Sequence, residues 1–288
     1  MTASPSPALA RRLQACGPVS DARLEALFEA VEIDDIVDPV VSLPDPIPMD
    51  YDRQRMEAGL CLCLQFWHRW ADREALLALV HTLLRRGDLD PAARRDYKHI
   101  RAAYKQLRFA LVLYSADHRA PKLFKLTVAL MGLLQDAFRG GRRGAVLRTG
   151  LALRLLLSAP LWAAVENSLA RTRLDDAAGF LAFRKGEMRW LRTALEQPGA
   201  PNGHVFHRMR KVVSRQVSFY DTMRTLMPNA EEARLSRFLS AINGLMGRMH
   251  DDMVEQAAAG SADYARDGFP LPDDIRQRLK TLVEHYPA

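Results

Sequence analysis

The sequence predicts an all-α protein, and three observations carry that reading. Ala, Leu, Arg and Glu recur at helical 3.6-residue spacing almost throughout. Alternating runs rich in Val, Ile, Thr and Tyr are nearly absent. The closest, Val40-Val41-Ser42-Leu43, sits in a proline-rich turn region. Proline and glycine punctuate the periodic stretches at intervals suited to helices of ordinary length.

In chain order, a first helix is expected over roughly 20–31, with Ser20 as its cap and Leu24, Leu27 and Phe28 on its apolar side. Pro39, Pro44, Pro46 and Pro48 then make a stiff linker. A long helix is expected from about Tyr51 to Trp70, and another from Asp72 to Gly87. Asp90-Pro91 opens the next, since proline fits the first helical turn. Breaks near 117–121, 140–144, Pro160, Asp175, 198–203, Pro228 and Gly260 divide the rest. The Pro- and Gly-rich segment 197–203 is the best interior boundary. It gives an N-terminal helix and arm over 1–50, a first helical half over 51–197 and a second over 198–288.

Composition narrows the class. Of 288 residues, 48% are hydrophobic and 26% charged, which excludes a disordered or collagen-like chain. Lys and Arg number 41 against 34 Asp and Glu, a net charge of +7 that suggests an anionic partner without naming one. The three cysteines make no disulfide framework. Cys61 and Cys63 read as small core residues in an apolar run, and the odd count fits a reducing compartment. The N-terminus shows no charged region followed by an apolar stretch. Arg148, Arg154 and Pro160 interrupt the apolar stretch 145–165, so it reads as a buried helix pair and no membrane partner is expected.

Two segments resemble each other. At offset 109, Lys98-His99-Ile100-Arg101 aligns with His207-Arg208-Met209-Arg210. Each is followed by a turn and a helix carrying Met-Gly-x-x-polar-Asp: Met131 to Asp136 in the first copy and Met246 to Asp251 in the second. Lys98, Arg101, Lys105 and Arg108 fall within about a third of a helix circumference. Ile100, Tyr104, Leu107, Leu111 and Tyr114 take another face, the expected core. In the second copy His207, Arg210, Lys211 and Arg215 form the basic face, with Met209, Val212, Val213, Tyr220 and Met223 apolar. No acidic residue interrupts 97–116 or 203–220. Such like-charge neighbours repel by roughly 0.2–0.5 kcal/mol per pair, which a merely solvated face avoids by mixing signs. Lys122 and Lys125 open the helix after the first stripe, and Arg237 and Arg248 belong to the helix after the second. Arg184, Lys185, Arg189 and Arg192 read as a further basic face.

These motifs resemble the CHAD family, the conserved histidine α-helical domain, over roughly residues 92–260. His207, Arg210, Lys211 and Arg215, followed by Gly247, His250 and Asp251, match the family pattern in the second copy. The first copy matches at Arg101, Lys105, Arg108, Gly132 and Asp136, and departs where Lys98 replaces the name-giving histidine. The second departs at Ser214 and Val217, where basic residues are expected. The resemblance implies two pseudo-symmetric antiparallel helical bundles. It also implies non-catalytic binding of inorganic polyphosphate or a similar polyanion, in the cytoplasm and at polyphosphate granules. On that reading Lys98, Arg101, Lys105, Arg108, Lys122, Lys125, His207, Arg210, Lys211, Arg215, Arg237 and Arg248 contact the polyanion, while Asp136, His250 and Asp251 orient them. Rows of Arg and Lys suit a linear polyanion because guanidinium forks contact phosphate oxygens in pairs.

Two other functions stay open. A basic helical groove also attracts RNA, which would call for aromatic residues such as Tyr97, Phe109 and Phe206 beside the stripes. His207 with His250-Asp251 could instead belong to a metal phosphohydrolase of the HD type, although a later ligating Asp is not evident. Met249 to Glu255 is also similar to the first Asp-rich helix of trans-prenyltransferases, but too few residues remain beyond it for a second. No enzyme, cofactor or metal is therefore expected; nucleic acid and a homodimer stay open as partners. Trp67, Trp70, Trp162 and Trp190 are expected in the core or at a lobe interface, and His68 and His81 at the surface or capping helices.

Overall fold

A computed structural model describes residues 5–32, 43, 47–49 and 51–287. The described residues form twelve α-helices and no strand; one isolated bridge joins Ser115 and Leu174. The all-α expectation holds. Val40 to Leu43 and the Pro39–Pro46 part of the linker lie almost wholly outside the described residues.

The chain divides into two compact units. One comprises 1–24 and 56–175, the other 25–55 and 176–288, so the division runs through α2 (Asp21–Glu32) and the first turn of α3 (Arg53–Trp70). In the expected scheme the interior boundary lay in 197–203. Here that segment belongs to the second unit, tied down by Phe269 N–H donating to the Pro201 carbonyl and Gly203 N–H to the Tyr264 carbonyl, both at 2.9 Å.

The first unit holds α1 (Pro7–Ala15), most of α3, α4 (Arg73–Arg86), α5 (Pro91–Tyr114), α6 (Lys122–Arg139), α7 (Arg143–Leu156) and α8 (Ala159–Ala170). Local chemistry sets their ends. Asp72 caps α4 by accepting from Glu74 and Ala75 N–H, and Gly87 closes it at φ 86°, a left-handed conformation that glycine adopts without strain. Asp90 and Pro91 start α5 as expected. α6 and α7 pack as a hairpin, and α7 also packs on α4. Ile100, Tyr104, Leu107, Leu111 and Tyr114 are all buried, as their spacing required.

α1 was not anticipated. Ser6 caps it with Pro7 at the first position, and it packs on α8. Its anchor is Glu166, 5% exposed, which accepts from Ser6 N–H at 2.8 Å and from Trp162 Nε1–H at 3.0 Å. A disulfide also joins Cys16 to Cys61, with Cα atoms 5.4 Å apart. This corrects the reading of Cys61 as a plain core residue and removes the cysteine argument for a reducing compartment. Cys63 is buried and takes no part in a disulfide. Spacing could not show the pairing, because the partner lies 45 residues away on an unexpected helix.

The second unit holds α9 (Ala177–Glu196), α10 (Gly203–Leu226), α11 (Ala230–Ala258) and α12 (Asp273–His285). α9 packs on α10 and α12, and α10 and α11 lie side by side. Met209, Val212, Val213, Tyr220 and Met223 are buried as expected.

Candidate functional site

In the first unit the basic stripe lies along the edge of α5. Lys98 is exposed, and Arg101, Lys105 and Arg108 are half-buried. The neighbouring α6 is fixed in register by the Tyr97 hydroxyl, which donates to the Met131 carbonyl at 2.9 Å. Burial raises the Tyr97 pKa, with the Arg101 charge opposing and Asp136 reinforcing the shift. The guanidinium of Arg101 lies over Gly132: a Cβ at that glycine would come within 3.3 Å of Arg101 Nη2. Counting along the antiparallel helices from that contact brings Arg108 level with Lys125. Lys122 and Lys125 are both exposed. Lys105 Nζ sits 5.7 Å from the Phe109 ring centroid, a cation–π approach. Asp136 is exposed at the opposite end of α6 from Lys122 and Lys125.

The second unit repeats one contact and alters the rest. Arg210 lies over Gly247, where a Cβ would come within 3.4 Å of Nη2. The two short motifs are therefore joined in both units, Arg on Gly. One turn away the rings of His207 and His250 lie 5.2 Å apart. His250 Nε2 is 3.1 Å from the Tyr264 hydroxyl, and its Nδ1 is 3.8 Å from the Asp251 carboxylate. Burial raises the Tyr264 pKa, so its hydroxyl stays protonated. Beyond Arg210 the pair of helices closes. The Ser214 hydroxyl donates to Asn243 Oδ1 at 2.6 Å, and the Ser236 hydroxyl to Asp221 Oδ1 at 2.6 Å.

Arg215 departs from its expected place. Its guanidinium forks onto both oxygens of Glu187, with only 14% and 10% of the two side chains exposed. At about 100° per residue it stands about 140° around α10 from Arg210, and Lys211 about 100° around. By the same count Arg237 and Arg248 stand about 80° and 100° around α11 from Gly247, and both are exposed. Asp251 is exposed, and its carboxylate faces His250. The second copy thus brings His207 and Arg210 together with His250; Arg237 holds the place relative to Gly247 that Lys122 holds relative to Gly132, while Lys211, Arg215 and Arg248 stand about 100° or more around.

The aromatic residues expected beside the stripes are buried: Tyr97, Phe109 and Phe206 are 0%, 7% and 0% exposed. They offer no stacking surface, which corrects that part of the RNA reading. Trp67 is buried, whereas Trp70, Trp162 and Trp190 are half-buried. His81 is exposed and His68 half-buried; burial lowers the His68 pKa against the pull of Glu166.

The largest correction concerns Arg184. Expected on an exposed basic face, it is 0% exposed. Its guanidinium carbon lies 4.0 Å from the Phe219 ring centroid and within 5.3–5.6 Å of those of Tyr51, Phe180, Tyr220 and Tyr286. Nη2 donates to Gln216 Oε1 at 3.0 Å, to the Tyr220 hydroxyl at 2.9 Å and to the Tyr286 hydroxyl. Burial works against the charge, and the surrounding tyrosine oxygens outweigh it, so the group stays protonated. Tyr51 in turn donates to Glu232 at 2.9 Å. Glu187 and Tyr264 were missed as well. Tyr264 lies in a loop without periodicity, and Glu187 sits between arginines as a solvated residue would.

Among the described residues no group of three or more His, Cys, Asp or Glu is arranged to hold a metal ion. What fold and site define is a class: an all-helical protein with two arginine-on-glycine helix pairs, one of which carries a long row of cations. Comparison of the chain with protein-family models, with curated proteins and with solved structures gives no match.

Proposed function

We propose that this protein binds inorganic polyphosphate, or a closely similar linear polyanion, without catalysing its turnover. The observation that carries the reading is the first unit's row. Lys98, Arg101, Lys105 and Arg108 share one edge of α5, and Lys122 and Lys125 are exposed on the adjoining α6. Cations repeated along two antiparallel helices suit a ligand whose charge repeats along its length. Gly132 keeps the floor beneath Arg101 low, so the guanidinium lies across the helix pair. His207 and Arg210 form a shorter second set. Arg215 is left out, because Glu187 already holds it. The motif resemblance to CHAD proteins points to the same ligand.

The test is an anisotropy titration with labelled long-chain polyphosphate, competed by single-stranded RNA at physiological salt. Polyphosphate is expected to bind more tightly than RNA of equal length. Reversal of Lys98, Arg101, Lys105 and Arg108 to Glu is expected to abolish that binding. Unchanged affinity in the reversed variant would sink the proposal, and stronger RNA binding would transfer the site to nucleic acid.

A further inference from the structure

α7 is apolar on two opposite faces, and only one is used inside the fold. Val146, Gly150, Leu153 and Leu156 are buried. Leu147, Leu151 and Leu155 point outward, at 38%, 56% and 64% exposure. At about 100° per residue those three leucines cover an arc of about 80°, with Arg154 about 20° beyond one edge and Arg148 about 20° beyond the other. Both arginines are exposed. The α6–α7 hairpin, counted outward from Gly141, brings Leu133 level with Leu147–Leu151 and Leu126 level with Leu155. Leu133 and Leu126 are themselves 58% and 46% exposed. Five of the large exposed apolar side chains therefore belong to one hairpin, where a protein ordinarily scatters them singly.

Charge narrows what covers them. No acidic residue occurs between Asp136 and Glu166, while Arg139, Arg142, Arg143, Arg148 and Arg154 do. Arg143 is engaged at the end of α4, donating to the carbonyls of Leu83, Leu84 and Arg85. The other four are exposed. A symmetric pairing of two copies would set the same arginines against each other with no carboxylate on α7 itself to offset them. RNA would neutralise the arginines and leave the leucines in water. An anionic bilayer surface meets both: leucines enter the acyl boundary while arginines at the stripe edges reach back to lipid phosphates.

We infer that the outward face of the α6–α7 hairpin, centred on Leu147, Leu151 and Leu155, docks on anionic lipid surfaces. The contact is peripheral. No single described helix is long and apolar enough to cross a membrane, and α7 and α8, which reach that length together, bend by 67°. The arginines that argued from sequence against a spanning segment are what an interfacial face needs. This surface is separate from the α5 row and goes beyond the polyphosphate proposal.

Co-sedimentation of the full chain with vesicles tests it. Binding is expected to vesicles of mixed phosphatidylglycerol and phosphatidylcholine and not to phosphatidylcholine alone. Leu151→Ser with Leu155→Ser, and separately Arg148→Glu with Arg154→Glu, are each expected to weaken binding at least tenfold. Circular dichroism confirms that each pair of substitutions leaves the fold intact. Lys98→Glu with Lys105→Glu is expected to leave vesicle binding in place while weakening polyphosphate binding, so the two proposals fail separately. Three results overturn the inference: no binding of the unaltered chain to anionic vesicles, binding that survives both α7 variants, or self-association of the free chain that the leucine variant abolishes.

Discussion

The two arginine-on-glycine pairs start from the same motif and use it differently. In the first unit the cations after Arg101 continue along the helix edge as Lys105 and Arg108. In the second the aligned positions are Ser214 and Val217, both buried, and Ser214 is tied to Asn243. Arg215 turns to Glu187, and Arg184 on α9 is enclosed by aromatic rings. One unit keeps its stripe of positive charge along a helix edge; the other turns Arg184 and Arg215 inward, onto aromatic rings and a carboxylate. A duplicated motif therefore need not mean a duplicated site, because the residues beyond the shared Arg decide whether charge faces ligand or core.

The largest test of that contrast is stability. Arg184→Ala leaves five rings around a void and removes the donor that Gln216, Tyr220 and Tyr286 share, so it is expected to cost about 3–5 kcal/mol. Arg101→Ala, at a half-buried edge, is expected to cost about 1 kcal/mol or less. Urea denaturation followed by tryptophan fluorescence compares them. Arg184→Met should recover much of the loss, because an apolar side chain of similar length fills the cage without a buried charge. Equal costs for the two alanine variants would erase the contrast.

Affinity comes next. Lys105→Glu with Arg108→Glu is expected to lower polyphosphate affinity about 100-fold at moderate salt. Losing two contacts should also flatten the salt dependence by about 1.4 in log–log slope. Lys211→Glu with Arg248→Glu should lower affinity less than about tenfold, since those side chains stand apart on two helices. If the second pair matters as much as the first, the units share the ligand equally.

Much of the first unit's site was legible in the sequence, because a helix edge is a periodicity and periodicity is written locally. The helix starts at Asp72 and Asp90-Pro91 and the breaks at Gly87 and Pro160 were legible because their signals are local too. Arg184 was not. Its spacing with Lys185, Arg189 and Arg192 is that of a solvated face, and its burial depends on Tyr51 and Tyr286, which lie far away along the chain. The Cys16–Cys61 bridge failed for the same reason. Short-range pattern shows which face is charged, but whether that charge meets water depends on long-range packing.

A smaller difference concerns pH. Glu232 is 6% exposed, and burial raises its pKa, with Tyr51, Arg184 and Arg55 opposing. The folded state thus holds this proton more tightly than the unfolded chain. The resulting stability is fully present below the ordinary glutamate value of 4.5 and is lost as pH rises through the folded value. Glu232→Gln keeps an acceptor for the Tyr51 hydroxyl and removes the titration. It is expected to raise the melting temperature near neutral pH and to flatten the profile above pH 4.5. A profile that keeps its slope in the variant assigns the pH dependence to another group. Arg101→Ala, in the first unit, should not alter that slope.

The finest test uses the two glycines. Gly132 and Gly247 lie inside α6 and α11, where alanine is favoured over glycine by about 0.5–1 kcal/mol. The added methyl meets only the far end of a flexible arginine, at 3.3 Å in one unit and 3.4 Å in the other, so a shift of a few tenths of an ångström relieves it. Both alanine variants should therefore gain stability by similar small amounts in thermal unfolding. Binding should not follow suit. Lifting Arg101 from its floor disturbs the row that Lys98, Lys105 and Arg108 continue, so Gly132→Ala is expected to weaken polyphosphate about threefold, within the effect of one displaced charge contact. Lifting Arg210 disturbs a set that ends within a turn, so Gly247→Ala should leave affinity unchanged within error. Equal stability gains with unequal binding would separate the shared construction from the binding proposed for the first unit. Equal binding losses would show that Arg210 faces the same ligand, whatever the helix beyond it does.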